Sequence, residues 1–202
     1  MTLRHLVLTL AIASLLPLIS LSSASAEPTP VSVAAPSEQA TNLPNLLSLG
    51  AGWYDFNQNS PRREAIDFRL EHRWGMSLLP KASNYFSSWD KYFQIHPIVA
   101  LETSSREQFY GGAGFAFDIL LGRHFVITPT ELVGLYYRGD GKRLGSFVEF
   151  RSTLEGGYRF DNEMRLTAFI GHMSNAHLTN LNPGANTVGG YLHIPTSMLC
   201  GK

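Results

Sequence analysis

Residues 65–74 read Ala-Ile-Asp-Phe-Arg-Leu-Glu-His-Arg-Trp, and their apolar and charged side chains alternate. Side chains of a β-strand point alternately to its two faces, so every second residue shares a face. One face of this segment carries isoleucine, phenylalanine, leucine, histidine and tryptophan, whereas the other is mostly charged. The segment is therefore predicted to be a strand with one apolar face and one polar, ion-paired face.

The same two-residue period recurs along the chain and predicts about eight strands. They are expected at roughly 46–57, 65–74, 92–103, 108–121, 124–137, 148–158, 164–175 and 186–194. Short breaks at 138–142 (Arg-Gly-Asp-Gly-Lys) and 161–162 (Asp-Asn) have the composition of turns between antiparallel neighbours. An antiparallel up-and-down meander follows.

Such a meander closes either as a soluble barrel with its apolar face inside or as a membrane barrel with that face outside. Several strands exceed the roughly 5–6 residues usual in soluble sheets and reach the roughly 9–11 that cross a bilayer at a tilt. Aromatic residues near the strand ends suit the girdles at the two membrane interfaces: Trp53, Tyr54, Trp74, Tyr136, Tyr137, Tyr158 and Phe160. We predict an all-β, eight-stranded antiparallel transmembrane β-barrel, with a soluble lipocalin-like carrier as the alternative.

The beginning of the chain predicts export. Arg4 and His5 are followed by an apolar core at 6–21 and by the small residues Ala-Ser-Ala at 24–26. This order of a polar start, an apolar core and a small-residue cleavage site is typical of a secretory signal peptide. Residues 1–26 are therefore assigned to a signal peptide.

The rest of the chain is predicted to form one barrel domain with a short segment on either side. Residues 27–44 are rich in proline, serine and alanine and are expected to be a flexible lead. The barrel is assigned to residues 45–195, because Pro195 cannot donate a hydrogen bond to a sheet and should end the last strand. Residues 196–202 are expected to be a C-terminal tail.

Composition excludes several classes of function. Lysine plus arginine number 16 and aspartate plus glutamate number 16, so the formal net charge is zero. Without a net positive field we expect no nucleic-acid partner. Cys200 is the single cysteine and the histidines outside the motif described next are scattered. Neither a thiolate site nor a histidine cluster is available, so we expect no metal and no cofactor.

Two short segments near the end of the chain carry the candidate chemistry. Residues 171–176 read Gly-His-Met-Ser-Asn-Ala and residues 182–186 read Asn-Pro-Gly-Ala-Asn. His172 and Ser174 are two residues apart in a strand, so a potential base and a potential nucleophile share its apolar, outward face. Asn186 opens the next strand and is expected to point outward beside them. A polar cluster on a lipid-facing surface is costly and indicates a function.

This motif resembles the lipid A 3-O-deacylase family, outer-membrane esterases of the PagL type. The resemblance implies that Ser174 attacks the ester at the 3-position of lipid A and that His172 acts as general base and then general acid. It also implies donors for the oxyanion and substrate in the loop: Asn175, Asn182 and Gly184. The family's third catalytic residue is a glutamate, and the matching position is Asn186.

The exchange of glutamate for Asn186 bears on activity. An amide oxygen can accept the ring N–H of a histidine, but it cannot offset the charge of an imidazolium. In a serine protease triad, exchange of aspartate for asparagine lowers turnover by about 10⁴. Glu149, Glu155 and Glu163 are expected on inward faces and Asp161 at the opposite end, so none of these acids is expected to substitute.

The leading hypothesis is therefore a lipid A deacylase-like esterase of the Gram-negative outer membrane, with activity impaired by Asn186. Its expected partners are lipid A or lipopolysaccharide and the outer membrane, and the family resemblance permits a homodimer. The alternative is a catalytically silent outer-membrane barrel that binds lipopolysaccharide or has a structural role in the envelope.

Overall fold

A closed antiparallel barrel accounts for nearly all of the structure. The computed structural model describes residues 43–57, 64–79 and 92–199. Its strands are β1 (Leu46–Tyr54), β2 (Ala65–Arg73), β3 (Phe93–Ser104), β4 (Phe109–Leu121), β5 (Phe125–Tyr137), β6 (Val148–Arg159), β7 (Arg165–Ser174) and β8 (Ala185–Pro195). Each strand pairs with the next, and β8 pairs with β1 to close the sheet. The predicted fold class, an eight-stranded antiparallel barrel, is confirmed.

The strand boundaries follow the predicted ones with local differences at turns. The first strand was expected to reach residue 57 but ends at Tyr54, because Asp55 takes a left-handed φ of 60° that a strand cannot contain. The last strand ends at Pro195, and Thr196–Leu199 forms one helical turn, α1. The predicted signal peptide and nearly all of the predicted lead lie outside the described residues.

The two faces of the sheet are sorted as the alternation predicts. In β2, the side chains of Asp67, Arg69 and Glu71 are buried inside the barrel, whereas Phe68 and Leu70 are exposed on its outer wall. The same sorting holds in β7, where Leu166 is 58% exposed and Ile170 is 53% exposed. In water this wall would be poorly solvated, whereas in a bilayer it matches the surrounding lipid. The apolar face is outside, as the membrane closure requires and the lipocalin-like alternative does not allow.

Ion pairs and hydrogen bonds fill the interior of the barrel. Arg151 donates to Glu102 at 2.9 Å and to Glu71. Asp118 accepts hydrogen bonds from Arg73 at 2.6 Å and from Arg165 at 3.0 Å. Charges taken out of water need such partners, since an unpaired one costs several kcal/mol. The interior is thus packed with charged and polar side chains.

Among the helices in the described part of the chain, none is long and apolar enough to cross a membrane.

Removal of the buried guanidinium group of Arg151 should destabilise the barrel far more than removal of an exposed guanidinium group. Arg151→Met leaves Glu71 and Glu102 buried without this partner, so we expect a loss of about 3–5 kcal/mol in the free energy of unfolding. The matched control is Arg123→Met, which breaks the Arg123–Asp161 pair, whose side chains are 75% and 70% exposed, and should cost under about 1 kcal/mol. Urea unfolding of the refolded barrel in lipid vesicles measures both. Equal losses would contradict this account of the interior.

Candidate active site

Three of the predicted site residues meet on the outer wall where β7 and β8 adjoin the loop between them. His172 and Ser174 leave the outer face of β7, and Ser174 is its last residue. Asn186 lies directly opposite His172 in the register of the two strands. The Nδ1 atom of His172 is 2.7 Å from the Oδ1 atom of Asn186, which is a short hydrogen bond. The predicted juxtaposition of these side chains on a common outward face is present.

A second amide holds the side chain of Asn186 in place. The Nδ2 atom of Asn186 donates to the Oδ1 atom of Asn57 at 2.9 Å, in the segment that follows β1. With its NH2 group so placed, Asn186 turns its oxygen toward His172 and accepts the Nδ1 hydrogen of the ring. The Nε2 atom is then the unprotonated nitrogen and can accept a proton. Asn57 therefore selects the tautomer that a general base requires.

The backbone of Gly184 packs so closely against the ring of His172 that a residue with a Cβ atom would collide with the ring. Its φ of 60° lies in the left-handed region. A Cβ atom on residue 184 would lie 2.7 Å from Cε1 and 3.1 Å from Nε2 of His172. The ring therefore rests on the backbone of the loop, which limits its rotation away from Asn186.

Asn175 holds the loop together. Its side chain is fully buried, and its amide Nδ2 donates to the carbonyl oxygens of Leu144 at 3.0 Å and Leu181 at 2.8 Å and to the hydroxyl of Thr179 at 3.2 Å. Both amide hydrogens are thus engaged within the loops. The backbone N–H of Asn175 donates to Oδ1 of Asn182 at 3.0 Å, and this bond orients the Asn182 amide.

The loop after β5 supports the loop after β7. Gly145, with a φ of 107°, approaches so closely that a Cβ atom would lie 1.8 Å from the carbonyl oxygen of Leu181. Within the β7–β8 loop, Ala176 and His177 both have left-handed φ values of 50° and 64°. Non-glycine residues in this region are strained and persist only where the surroundings hold them. The loop is therefore a fixed structure that places Asn182 and Gly184 beside the strand ends.

The hydroxyl of Ser174 is free of hydrogen bonds to the described residues. It is partly buried and lies one strand repeat, about 7 Å, from His172 on the same face. Hydrogen bonds between a catalytic nucleophile and its base often form only when substrate is bound. The structure thus brings His172, Asn186 and Gly184 into contact and leaves the Ser174 hydroxyl unengaged next to them.

The four acidic residues considered above as substitutes for the family's glutamate lie away from this site. Glu149 and Glu155 are buried inside the barrel, as expected. Glu163 was expected on an inward strand face but lies in the β6–β7 turn, because its φ of 67° ends the extended backbone there. Asp161, at the opposite end, pairs with Arg123 at 2.9 Å.

An acid outside the sequence motif lies on the same outer wall as His172. Glu131 points outward from β5 and accepts a hydrogen bond of 2.7 Å from the hydroxyl of Ser152 on β6. Ser152 is the register partner of both Glu131 and His172. The alternation along β5 already places Glu131 outward, whereas its alignment with His172 depends on the register of three strands.

Comparison with known proteins identifies one family. The family described as Lipid A 3-O-deacylase (PagL) matches residues 47–195. The crystal structure of the outer membrane enzyme PagL is similar with a TM-score of 0.57 and 16% identity, and the alignment covers 74% of this chain and 99% of that chain. At this identity the likeness shows the shared barrel fold. None of the curated proteins matches the chain.

Two other solved barrels have lower TM-scores. A de novo designed transmembrane β-barrel has a TM-score of 0.44 and 10% identity, with 75% of this chain and 95% of that chain covered. The outer membrane protein Ail of Yersinia pestis has a TM-score of 0.42 and 9% identity, with 75% and 99% covered. Neither likeness is close enough to carry an argument about this chain.

The contact between Gly184 and His172 can be tested by adding one methyl group. Gly184→Ala should push the ring out of line and break its hydrogen bond with Asn186, because the new Cβ atom would lie 2.7 Å from Cε1. Nitrogen NMR of the histidine rings in detergent micelles reports the loss of the bonded Nδ1 hydrogen. Gly156→Ala is the control, since a Cβ atom at residue 156 meets nothing within 4 Å. An unchanged His172 signal in the Gly184 variant would contradict the packing described.

Proposed function

The chain belongs to the lipid A 3-O-deacylase family of outer-membrane barrels, and from that premise we propose that it hydrolyses the 3-O-linked acyl chain of lipid A with Ser174 as nucleophile and His172 as base. The observation that supports this most is the hydrogen bond of 2.7 Å between His172 Nδ1 and Asn186 Oδ1 on the outer wall. It orients the ring and leaves Nε2 free to take a proton from the neighbouring Ser174.

The reaction proceeds in two steps of acyl transfer. The Oγ atom of Ser174 attacks the ester carbonyl while Nε2 of His172 accepts its proton. The tetrahedral intermediate collapses as His172 returns that proton to the 3-oxygen of the sugar, which leaves as a hydroxyl. A water molecule, deprotonated by His172, then attacks the acyl-serine and releases the fatty acid and the free Ser174 hydroxyl. Each step needs the ring to gain and lose one proton, so the orientation of the ring matters throughout.

The position of the site suits a substrate that is itself a membrane lipid. The outward neighbours of the site along the strands are apolar, with Ile170 exposed on β7, Leu154 on β6 and Val188 on β8. An acyl chain lying on this wall exchanges lipid contacts for protein contacts of the same kind, so it need not leave the bilayer. The interior cannot take this role, because Arg151 and its carboxylate partners occupy it.

Stabilisation of the oxyanion falls to Asn182 and the loop backbone. The amide hydrogens of Asn175 are engaged with Leu144, Thr179 and Leu181, so Asn175 acts by holding the loop. The Asn182 amide is oriented by the backbone N–H of Asn175, and its NH2 group lies 3.4 Å from His177 Nδ1, a long contact that a substrate oxygen can replace. A donor fixed in this way loses little orientational freedom when charge develops on the carbonyl oxygen.

The amide at Asn186, held by Asn57, supports the His172 imidazolium less than a carboxylate would and so lowers the rate of hydrolysis. A glutamate at this position would bring a negative charge next to the imidazolium that forms in each step. The amide oxygen offers only a dipole, so the ring is oriented with less electrostatic support. We therefore infer an esterase with a lower turnover rate than a site that has the family's glutamate at this position. The same amide pair favours a second candidate, a catalytically silent barrel that binds lipopolysaccharide.

Replacement of the nucleophile separates these two candidates. Cells that express the native protein should yield lipid A lighter by one acyl chain, and Ser174→Ala should abolish this change because the proposed acyl intermediate forms on the Ser174 hydroxyl. The mass spectrum of extracted lipid A measures it. Ser197→Ala, in the exposed turn α1, is the matched control and should behave as the native protein. Lipid A that is unchanged by the native protein, or changed equally by the Ser174 variant, would refute the esterase and leave the binding role.

Restoration of the family's acid should accelerate the reaction. Asn186→Glu places a carboxylate at the Nδ1 side of His172, and we expect deacylation to rise by at least about tenfold, a small part of the roughly 10⁴ seen for the reverse exchange in a serine protease. The rate of fatty acid release from lipid A in micelles measures it. Asn186→Gln is the control for side-chain length and should bring no rise. A glutamate variant no faster than the native protein would show that the site is not built on the family's triad.

A further inference from the structure

One charged strand residue, Glu131, lies on the outer face of the barrel instead of the inner face. In the described strands, the aspartate, glutamate, lysine and arginine side chains face inward with the exception of Glu131. It lies at the middle of β5, with exposed Ile127 on one side and exposed Val133 and Leu135 on the other. A carboxylate on an apolar, lipid-facing stripe is costly to keep, and such residues generally mark a function.

Glu131 lies in a transverse row of polar side chains that includes the candidate base. The register aligns Glu131 on β5, Ser152 on β6, His172 on β7 and Asn186 on β8. Side chains directly opposite each other in an antiparallel pair have Cβ atoms about 4.5–5.5 Å apart. The row crosses four neighbouring strands of the outer wall and ends on Asn57, which bonds Asn186.

Ser152 connects the carboxylate to the side of the histidine. Its hydroxyl hydrogen is donated to Oε2 of Glu131 at 2.7 Å, a charge-assisted bond that draws the carboxylate toward β6. Ser152 is also the register partner of His172, so its side chain lies between the carboxylate and the histidine on the outer wall. The bond to an ionised group also polarises the Ser152 oxygen and makes it a better partner for a positive ring.

The other groups around His172 on this wall carry no charge of their own. Asn186 lies beside it on β8, Gly184 packs on the ring, and Asn182 with the titratable His177 lies further out in the loop. Asp55, in the turn after β1, points into the barrel and binds Lys142 at 2.7 Å. Among the described residues, the carboxylate that faces the base from the outer wall is therefore Glu131.

We propose that Glu131 is a positioning residue that acts through Ser152 to stabilise the protonated form of His172. It supplies, from the β6 side, part of the negative charge that Asn186 does not supply from the β8 side. This rests on the proposed esterase function, since the imidazolium matters only if His172 carries a proton during the reaction. In a wall of low dielectric, a charge one strand away acts more strongly than it would in water.

A double-mutant cycle between the two flanks of the histidine tests this. Glu131→Gln keeps the shape and the hydrogen bond with Ser152 but removes the charge, so kcat should fall about tenfold with KM little changed. In the Asn186→Glu background the same change should cost less than about twofold, because the new carboxylate already supports the ring. An equal loss in both backgrounds would overturn the proposal and indicate contact with substrate or a role in assembly. Ile127→Gln, on the same stripe, controls for a polar side chain facing lipid.

A fold control and the Ser174 variant separate this proposal from the proposed function. Heat-modifiable gel mobility confirms that each variant is folded, so that a fall in kcat reports on the site. Turnover that depends on Ser174, with equal losses for Glu131→Gln in both backgrounds, would overturn the role of Glu131 while the esterase stands. Turnover that does not depend on Ser174 would refute the esterase and, with it, the role of Glu131.

Discussion

Burial of paired charges inside the barrel is the constraint on which the rest of the structure depends. Arg151 needs Glu71 and Glu102, and Asp118 needs Arg73 and a second arginine, so these side chains must share the interior. A strand that slipped by one residue would turn its charges toward lipid and its apolar side chains inward. The register is thereby determined strand by strand, and the outward direction of every alternate residue is determined with it.

The candidate site follows from this register. Residues that alternate with buried charges must face the membrane, and at the end of β7 these residues are His172 and Ser174. The wall around them is apolar, which suits a lipid substrate but offers little support for a charged intermediate. The amides of Asn186 and Asn57 lie on one side of His172, and the hydrogen-bonded pair of Ser152 and Glu131 lies on the other. The site thus combines a well-oriented base with a charge held at a distance.

Most of the fold and part of the site could be predicted from the sequence. The two-residue period specifies strands and faces locally, so eight strands and the outward positions of His172, Ser174 and Asn186 follow from it. The tie from Asn186 to Asn57 could not be predicted, because it joins residues 129 positions apart through the closure of the barrel. The loop-holding role of Asn175 depends on contacts with the β5–β6 loop, which no local pattern encodes. Alternation alone places Glu131 outward, and only the register aligns it with the base.

The claim that a serine hydrolase site lies on the lipid-facing wall is tested most directly by trapping its first intermediate. A crystal structure of the protein treated with a long-chain alkyl fluorophosphonate would show both the reacting atom and the path of the chain. We expect phosphorus on Oγ of Ser174, its oxygen toward Asn182, and the alkyl chain on the outer wall over Ile170 and Leu154. A chain that enters the barrel, or phosphorus on another residue, would contradict it.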